Sequence, residues 1–135
     1  MINNQKILFK FIQINENVDY IHISCSYKLS ENFIRRFKNN VYWGLISANQ
    51  QLSENFIQEF QDKVDWYFIS INQRLSEKFI QKFKYKVEWD NISISQNLSE
   101  KFIRKFKNKV NWYFISINQK LSENFKKEFK HKLND

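Results

Sequence analysis

The sequence predicts an all-α fold: an α-solenoid of tandem 23-residue helix–turn–helix repeats. Three observations lead there. From Leu29 the chain restarts every 23 residues without insertion, as 29–51, 52–74, 75–97 and 98–120, followed by a truncated copy, 121–135. A fixed period of this length is the signature of stacked repeats, each completing its core against its neighbours. Within each copy the recurring apolar residues fall at helical spacing. Lastly, the series Ile34, Ile57, Ile80, Ile103 ends in Lys126, so a core position turns charged in the truncated copy. Residues 1–135 therefore read as one repeat domain, with an N-terminal cap (1–28), four full repeats (29–120) and a C-terminal capping half-repeat (121–135).

Taken in order, the first cap keeps the phase only in its second half. There Val18-Asp19-Tyr20 and Ile23-Ser24 match Val64-Asp65-Trp66 and Ile69-Ser70. Ile7 to Ile14 departs from the consensus and alternates enough to leave strand and helix both open.

The first segment of a full repeat is a helix. Ser53 is placed to cap it, and Leu52 and Ile57 form a hydrophobic staple. Glu54 in the first turn and Lys63 in the last suit the helix dipole. Phe56, Ile57, Phe60 and Val64 make one apolar stripe, so the helix is expected from Ser53 to about Val64. The second segment, Asp65 to about Gln73, has strand-like residues, but Trp66, Ile69, Ser70 and Gln73 are spaced i, i+3, i+4, i+7. A short second helix is preferred, with Asp65, Glu88 and Asn111 where its caps belong. Each repeat offers about seven framework apolar side chains, worth about 1.5–3 kcal/mol apiece when buried. Chain entropy offsets most of that, so no repeat stands alone.

Composition sets bounds. The chain is 42% hydrophobic and 18% aromatic, enough for a packed core. One Gly and no Pro argue against a fold with many tight turns. One Cys excludes an internal disulfide, and two His with one Cys do not make an ordinary zinc site. No apolar run approaches the roughly 20 residues that cross a bilayer, and Met1 to Lys6 does not open a signal peptide. A soluble, cytoplasmic protein without cofactor, metal or membrane partner is expected.

The pattern L-S-E-x-F-I-x-x-F-x-x-x-V-x-W-x-x-I-S-x-x-Q, as it stands from Leu52 to Gln73, resembles short tandem repeats of uncharacterised giant-virus and phage proteins. The resemblance covers residues 29–133 and fits 6–28 poorly. It implies a viral or AT-rich source and, for a viral protein, the host cytoplasm. It brings no reaction and no catalytic residue.

Chemistry is sparse. Gly44 alone cannot build a phosphate-binding glycine loop or a nucleophile elbow. His22, Cys25 and His131 are scattered, and Cys25 falls on a position shared with Ala48 and Ile71, where packing is its expected role. The Glu ladder (Glu31, Glu54, Glu77, Glu100, Glu123) is assigned to helix-end electrostatics rather than paired catalytic carboxylates. The Trp ladder (Trp43, Trp66, Trp89, Trp112) is assigned to core, its indoles bonded to nearby carbonyls. The Gln ladder (Gln50, Gln73, Gln96, Gln119) is assigned to bonds between repeats or turn closure. Neither catalysis nor a small-molecule substrate is expected.

Two surfaces remain. With 22 Lys+Arg against 14 Asp+Glu the net charge is +8. Lys38, Lys84 and Lys107, with Lys63, Lys86 and Lys109, would form two stripes flanking the core face of the first helices. They either complement helix ends and keep the array soluble, or track a phosphate backbone with steep salt dependence. Gln61 interrupts one row, and no Arg-rich base-reading set accompanies it. The other surface is the outer side of the second helices, where Leu45, Tyr67, Phe68, Ile71, Ile94, Tyr113 and Phe114 differ from repeat to repeat. These side chains are either sandwiched inside the molecule or displayed as interface anchors. The leading expectation is a non-enzymatic repeat scaffold that binds a protein partner or its own copy as a homodimer, such as a viral host-interaction protein. The alternative is nucleic-acid binding through the Lys-rich face.

Overall fold

The computed structural model describes residues 4–133. The protein is an all-α array of tandem 23-residue helix–turn–helix repeats, of the α-solenoid class, with no strand among the described residues. It forms two compact units, residues 1–65 and 66–135. The first three and last two residues of the expected caps lie outside the described residues.

Unit 1 contains α1 (Asn4–Ile14), α2 (Tyr20–Ser26), α3 (Glu31–Arg36), α4 (Trp43–Asn49) and α5 (Glu54–Glu59). The segment whose class the sequence leaves open is helix α1. Its Phe9 ring packs 5.0 Å from Phe33 and 5.6 Å from Phe37, and its Gln5 Oε1 accepts from the Ser30 hydroxyl at 2.6 Å. Helix α2 packs against α4. The Trp43 ring lies 4.9 Å from Phe60 and 6.2 Å from Phe56.

Unit 2 contains α6 (Trp66–Asn72), α7 (Glu77–Lys82), α8 (Trp89–Ser95), α9 (Glu100–Lys105), α10 (Trp112–Asn118), α11 (Glu123–Glu128) and α12 (Lys130–Leu133). Helix α8 packs against both α6 and α10, and α10 against α12. Trp66, Trp89 and Trp112 stack in turn over the Phe79/Phe83, Phe102/Phe106 and Phe125/Phe129 pairs. Each Trp thus sits on the phenylalanines of the repeat that follows it.

The caps form as expected. Ser53, Ser76 and Ser99 are extended, and their hydroxyls accept from the backbone N–H groups of Phe56, Phe79 and Phe102 at 3.1–3.2 Å. The first helices, however, are shorter than predicted. Helix α5 stops at Glu59, because Phe60 (φ −108°, ψ 29°) leaves the helical range. One offset turn follows, in which the Phe60 carbonyl accepts from both Lys63 and Val64. Phe56, Ile57, Phe60 and Val64 are nonetheless all buried.

Bonds to the preceding repeat take over where the offset turn ends. In a continuing helix the Lys107 carbonyl would accept from Asn111 N–H. Instead Asn111 N–H donates to the Ser93 hydroxyl of the preceding repeat at 3.0 Å, and the Lys107 carbonyl accepts the Trp112 indole N–H at 2.9 Å. The pattern recurs: Tyr42 donates to Ser24 and Glu88 to Ser70, while the Trp43 and Trp89 indoles take the Lys38 and Lys84 carbonyls. The backbone groups named here thus find partners outside the helical ladder.

The turn count corrects the reading from composition. The chain bends twice per repeat, yet no described residue has positive φ. Helices α4, α8 and α10 end on the extended residues Gln50, Gln96 (φ −88°, ψ 147°) and Gln119, where a left-handed glycine cap is more usual. That explains how so many bends form with a single Gly. Of the expected second-helix caps, Asn111 accepts from Phe114 N–H at 3.3 Å, whereas Glu88 makes no side-chain cap bond.

Candidate interaction surfaces

Most recurring polar residues are committed to joining repeats. Gln96 is buried; its Oε1 accepts from Leu75 N–H at 3.0 Å, and its Nε2 donates to the Ser70 and Gln73 carbonyls at 2.9 and 2.7 Å. Gln50 does the same for Leu29, Ser24 and Tyr27, and Gln119 for Leu98, Ser93 and Gln96. The Gln ladder is therefore a bond between repeats, as expected.

The Glu ladder goes beyond its expected dipole role. Glu31 accepts from Ser53 N–H and Glu100 from Ser122 N–H, each at 2.6 Å, and Glu77 accepts likewise from Ser99. A carboxylate at one helix start thus satisfies the cap residue of the next. The Glu100 carboxyl is held below the ordinary carboxylate value by the Ser122 backbone N–H, then the Ser122 hydroxyl, with Arg104 adding a smaller effect. Arg104 also pairs with Glu128 at 2.9 Å, and in unit 1 Arg35 pairs with Glu59 at 2.8 Å.

The outer side of the second helices is not sandwiched. In unit 2 Tyr67 and Tyr113 are 54% and 63% exposed, and Phe68, Ile71, Ile94 and Phe114 are half-buried. The rings come in edge-to-face pairs, Tyr67 with Phe68 and Tyr113 with Phe114, each at 5.4 Å. Helix α8 interrupts the row. Its Asn91 stands where Phe68 and Phe114 stand but is buried, donating to the Tyr67 carbonyl at 3.2 Å. Asp90 beside it accepts from Asn111 Nδ2 at 2.9 Å. Ile117 extends the row at 61% exposure. In unit 1 Leu45 is half-buried, and Gly44 faces open space.

The lysines lie elsewhere than predicted. Because the first helices end early, Lys63, Lys84, Lys86, Lys107 and Lys109 sit on the offset turns rather than along helix flanks, and Lys38 follows the end of α3. Lys109 Nζ reaches to 5.2 Å from the Tyr85 ring centroid and 5.9 Å from that of Trp89. Tyr85, not among the residues the sequence singles out, replaces the polar Asn39, Asp62 and Asn108 of the other repeats.

Cys25 is a second correction. It is exposed rather than packed, with Sγ 3.6 Å from the His22 carbonyl. Its counterparts Ala48 and Ile71 are only half-buried, so the position faces outward on the helix. Ser26 Oγ lies 3.1 Å from His22 Nδ1. Among the described residues no group of three His, Cys, Asp or Glu side chains is placed to hold a metal ion, and no helix is long and apolar enough to cross a membrane.

Two grooves occur. One in unit 1, about 510 Å³, lies between α1 and α2 and is lined by Ile7, Leu8, Phe11, His22, Ile23 and Tyr27. The other, about 470 Å³, lies at α11 and α12 and is lined by Leu121, Lys126, Lys127, Lys130 and Leu133. There Lys126 is exposed and pairs with Glu123 at 2.9 Å, while the equivalent Ile34, Ile57, Ile80 and Ile103 are fully buried. No family model, curated protein or solved structure matches this chain.

Proposed function

We propose that the protein is a non-enzymatic helical-repeat scaffold that binds a protein partner, or its own copy, through the outer sides of α6, α8 and α10. The observation that supports this most is the pair of aromatic couples, Tyr67–Phe68 and Tyr113–Phe114, each with an exposed tyrosine braced by a half-buried phenylalanine. A braced ring loses little conformational freedom when a partner covers it, and aromatic anchors of this kind dominate interface energetics. Asp90 and the buried Asn91 place a polar notch between the two couples, which suits a partner segment carrying a donor between apolar side chains.

Tyr67→Ala with Tyr113→Ala removes exposed rings and preserves the fold, so the far-ultraviolet spectrum should not change. Size-exclusion chromatography with light scattering reports association of the protein with itself, and cross-linking capture reports a different partner. Loss of association or capture in the double variant is the expected result. A wild-type monomer whose captured set is identical to that of the variant would overturn the reading.

A further inference from the structure

The net charge is not shared between the two units. Residues 66–135 carry 15 Lys and Arg against 7 Asp and Glu, whereas residues 1–65 carry 7 of each. The surplus gathers at the offset turns. In unit 2 these read Lys84-Tyr85-Lys86 and Lys107-Asn108-Lys109, and the equivalent Lys130-His131-Lys132 lies on α12; in unit 1 the same places hold Lys38-Asn39-Asn40 and Gln61-Asp62-Lys63. Among the described residues, Lys84, Lys107, Lys109 and Lys130 have no carboxylate partner.

Within this cluster Tyr85 is 82% exposed. Lys84 Nζ lies 4.9 Å from its ring centroid and Lys109 Nζ, from the next repeat, 5.2 Å. The Trp rings nearby are taken up by the phenylalanine pairs beneath them. Tyr85 is the most exposed aromatic ring beside these turns, and it stands between ammonium groups belonging to two successive turns. Packed helices put such turns about 8–10 Å apart.

We infer that the Lys-x-Lys turns of unit 2, with Tyr85 among them, form a binding track for single-stranded nucleic acid. The lysines contact phosphates and Tyr85 stacks on one base. A single strand fits better than a duplex because its bases are open to a protruding ring. It fits better than an acidic peptide because carboxylates would use the lysines and leave the exposed ring idle. Lysine point charges without arginine forks suit backbone contact that is indifferent to sequence. The track uses different residues from the Tyr67–Phe114 row, so either surface can fail without the other.

The test is fluorescence anisotropy of the full chain with labelled oligothymidylate, a hairpin duplex and polyglutamate, from low to high salt. Oligothymidylate should bind best, and log affinity should fall against log salt by about 0.7 per phosphate neutralised. Tyr85→Ala should weaken oligothymidylate binding by about 5- to 150-fold and leave the salt slope unchanged. Lys107→Gln with Lys109→Gln should flatten the slope by about 1.4, while Lys38→Gln in unit 1 should change nothing. The exposure of all these side chains keeps the fold intact, which circular dichroism checks. The inference is overturned by absence of binding at low salt, by equal affinity for the duplex or polyglutamate, or by indifference to Tyr85→Ala.

Discussion

Glu100 Oε1 lies 2.6 Å from the backbone nitrogen of Ser122, so the first residue of α9 supplies the acceptor for the cap residue of α11. That carboxyl is held below its ordinary value chiefly by this bond. A group depressed on folding adds stability that is fully present above its unfolded value and is lost as pH falls through its folded value. Acidification through and below the ordinary carboxylate range should therefore lower the thermal midpoint. Glu100→Gln, which keeps an acceptor but no longer titrates, should flatten that part of the profile. An unchanged slope in the variant would remove Glu100 from the acid response.

Replacing Gln96 tests the bonds between repeats. Gln96→Ala strands the buried Leu75 N–H and takes the amide donor away from the Ser70 and Gln73 carbonyls, of which Ser70 keeps the Ser95 hydroxyl at 3.0 Å. Leaving such groups unpaired costs about 1–3 kcal/mol, and denaturant unfolding followed by circular dichroism should show a loss of at least that size. A change below about 0.5 kcal/mol, the range of ordinary surface substitutions, would mean that water replaces the amide.

Ile80 and Lys126 occupy equivalent places in their repeats, and their truncations should differ sharply. Ile80 is fully buried, so Ile80→Ala should destabilise by about 2–5 kcal/mol. Lys126 is exposed and pairs with Glu123 at 2.9 Å, and Lys126→Ala should stay within about 0.5 kcal/mol. Comparable losses at both sites would contradict the burial pattern.

Cys25 provides a direct check on its corrected placement. An exposed thiol reacts without unfolding. Alkylation of the native protein, followed by mass spectrometry, should go to completion without denaturant and leave the helical spectrum unchanged. Protection that is lifted only by denaturant would return Cys25 to the interior.

The period, the serine caps and the second helices were legible because each is written within a single repeat. Ser53 and Phe56 are three residues apart, and Trp66, Ile69, Ser70 and Gln73 share one helical face. The early end of the first helix was not legible. No Gly or Pro marks Phe60, and the backbone beyond the offset turn is held by bonds made 18 residues away, such as Asn111 to Ser93. Cys25 misled because its position looked apolar by comparison with Ala48 and Ile71, and recurrence alone does not separate an inward face from a half-covered outer one. Tyr85 was visible as a departure from its polar counterparts, but its meaning depends on Lys109 crossing from the following turn.

The bonds described between neighbouring repeats span 18 to 26 residues, no more than about one period. Nothing in that wiring registers how many periods a gene carries. Duplicating or excising a cassette of 23 codons would recreate the same donors and acceptors at the new junction. Length is then free to drift by recombination, and selection would act on how far a surface extends rather than on whether the chain still folds.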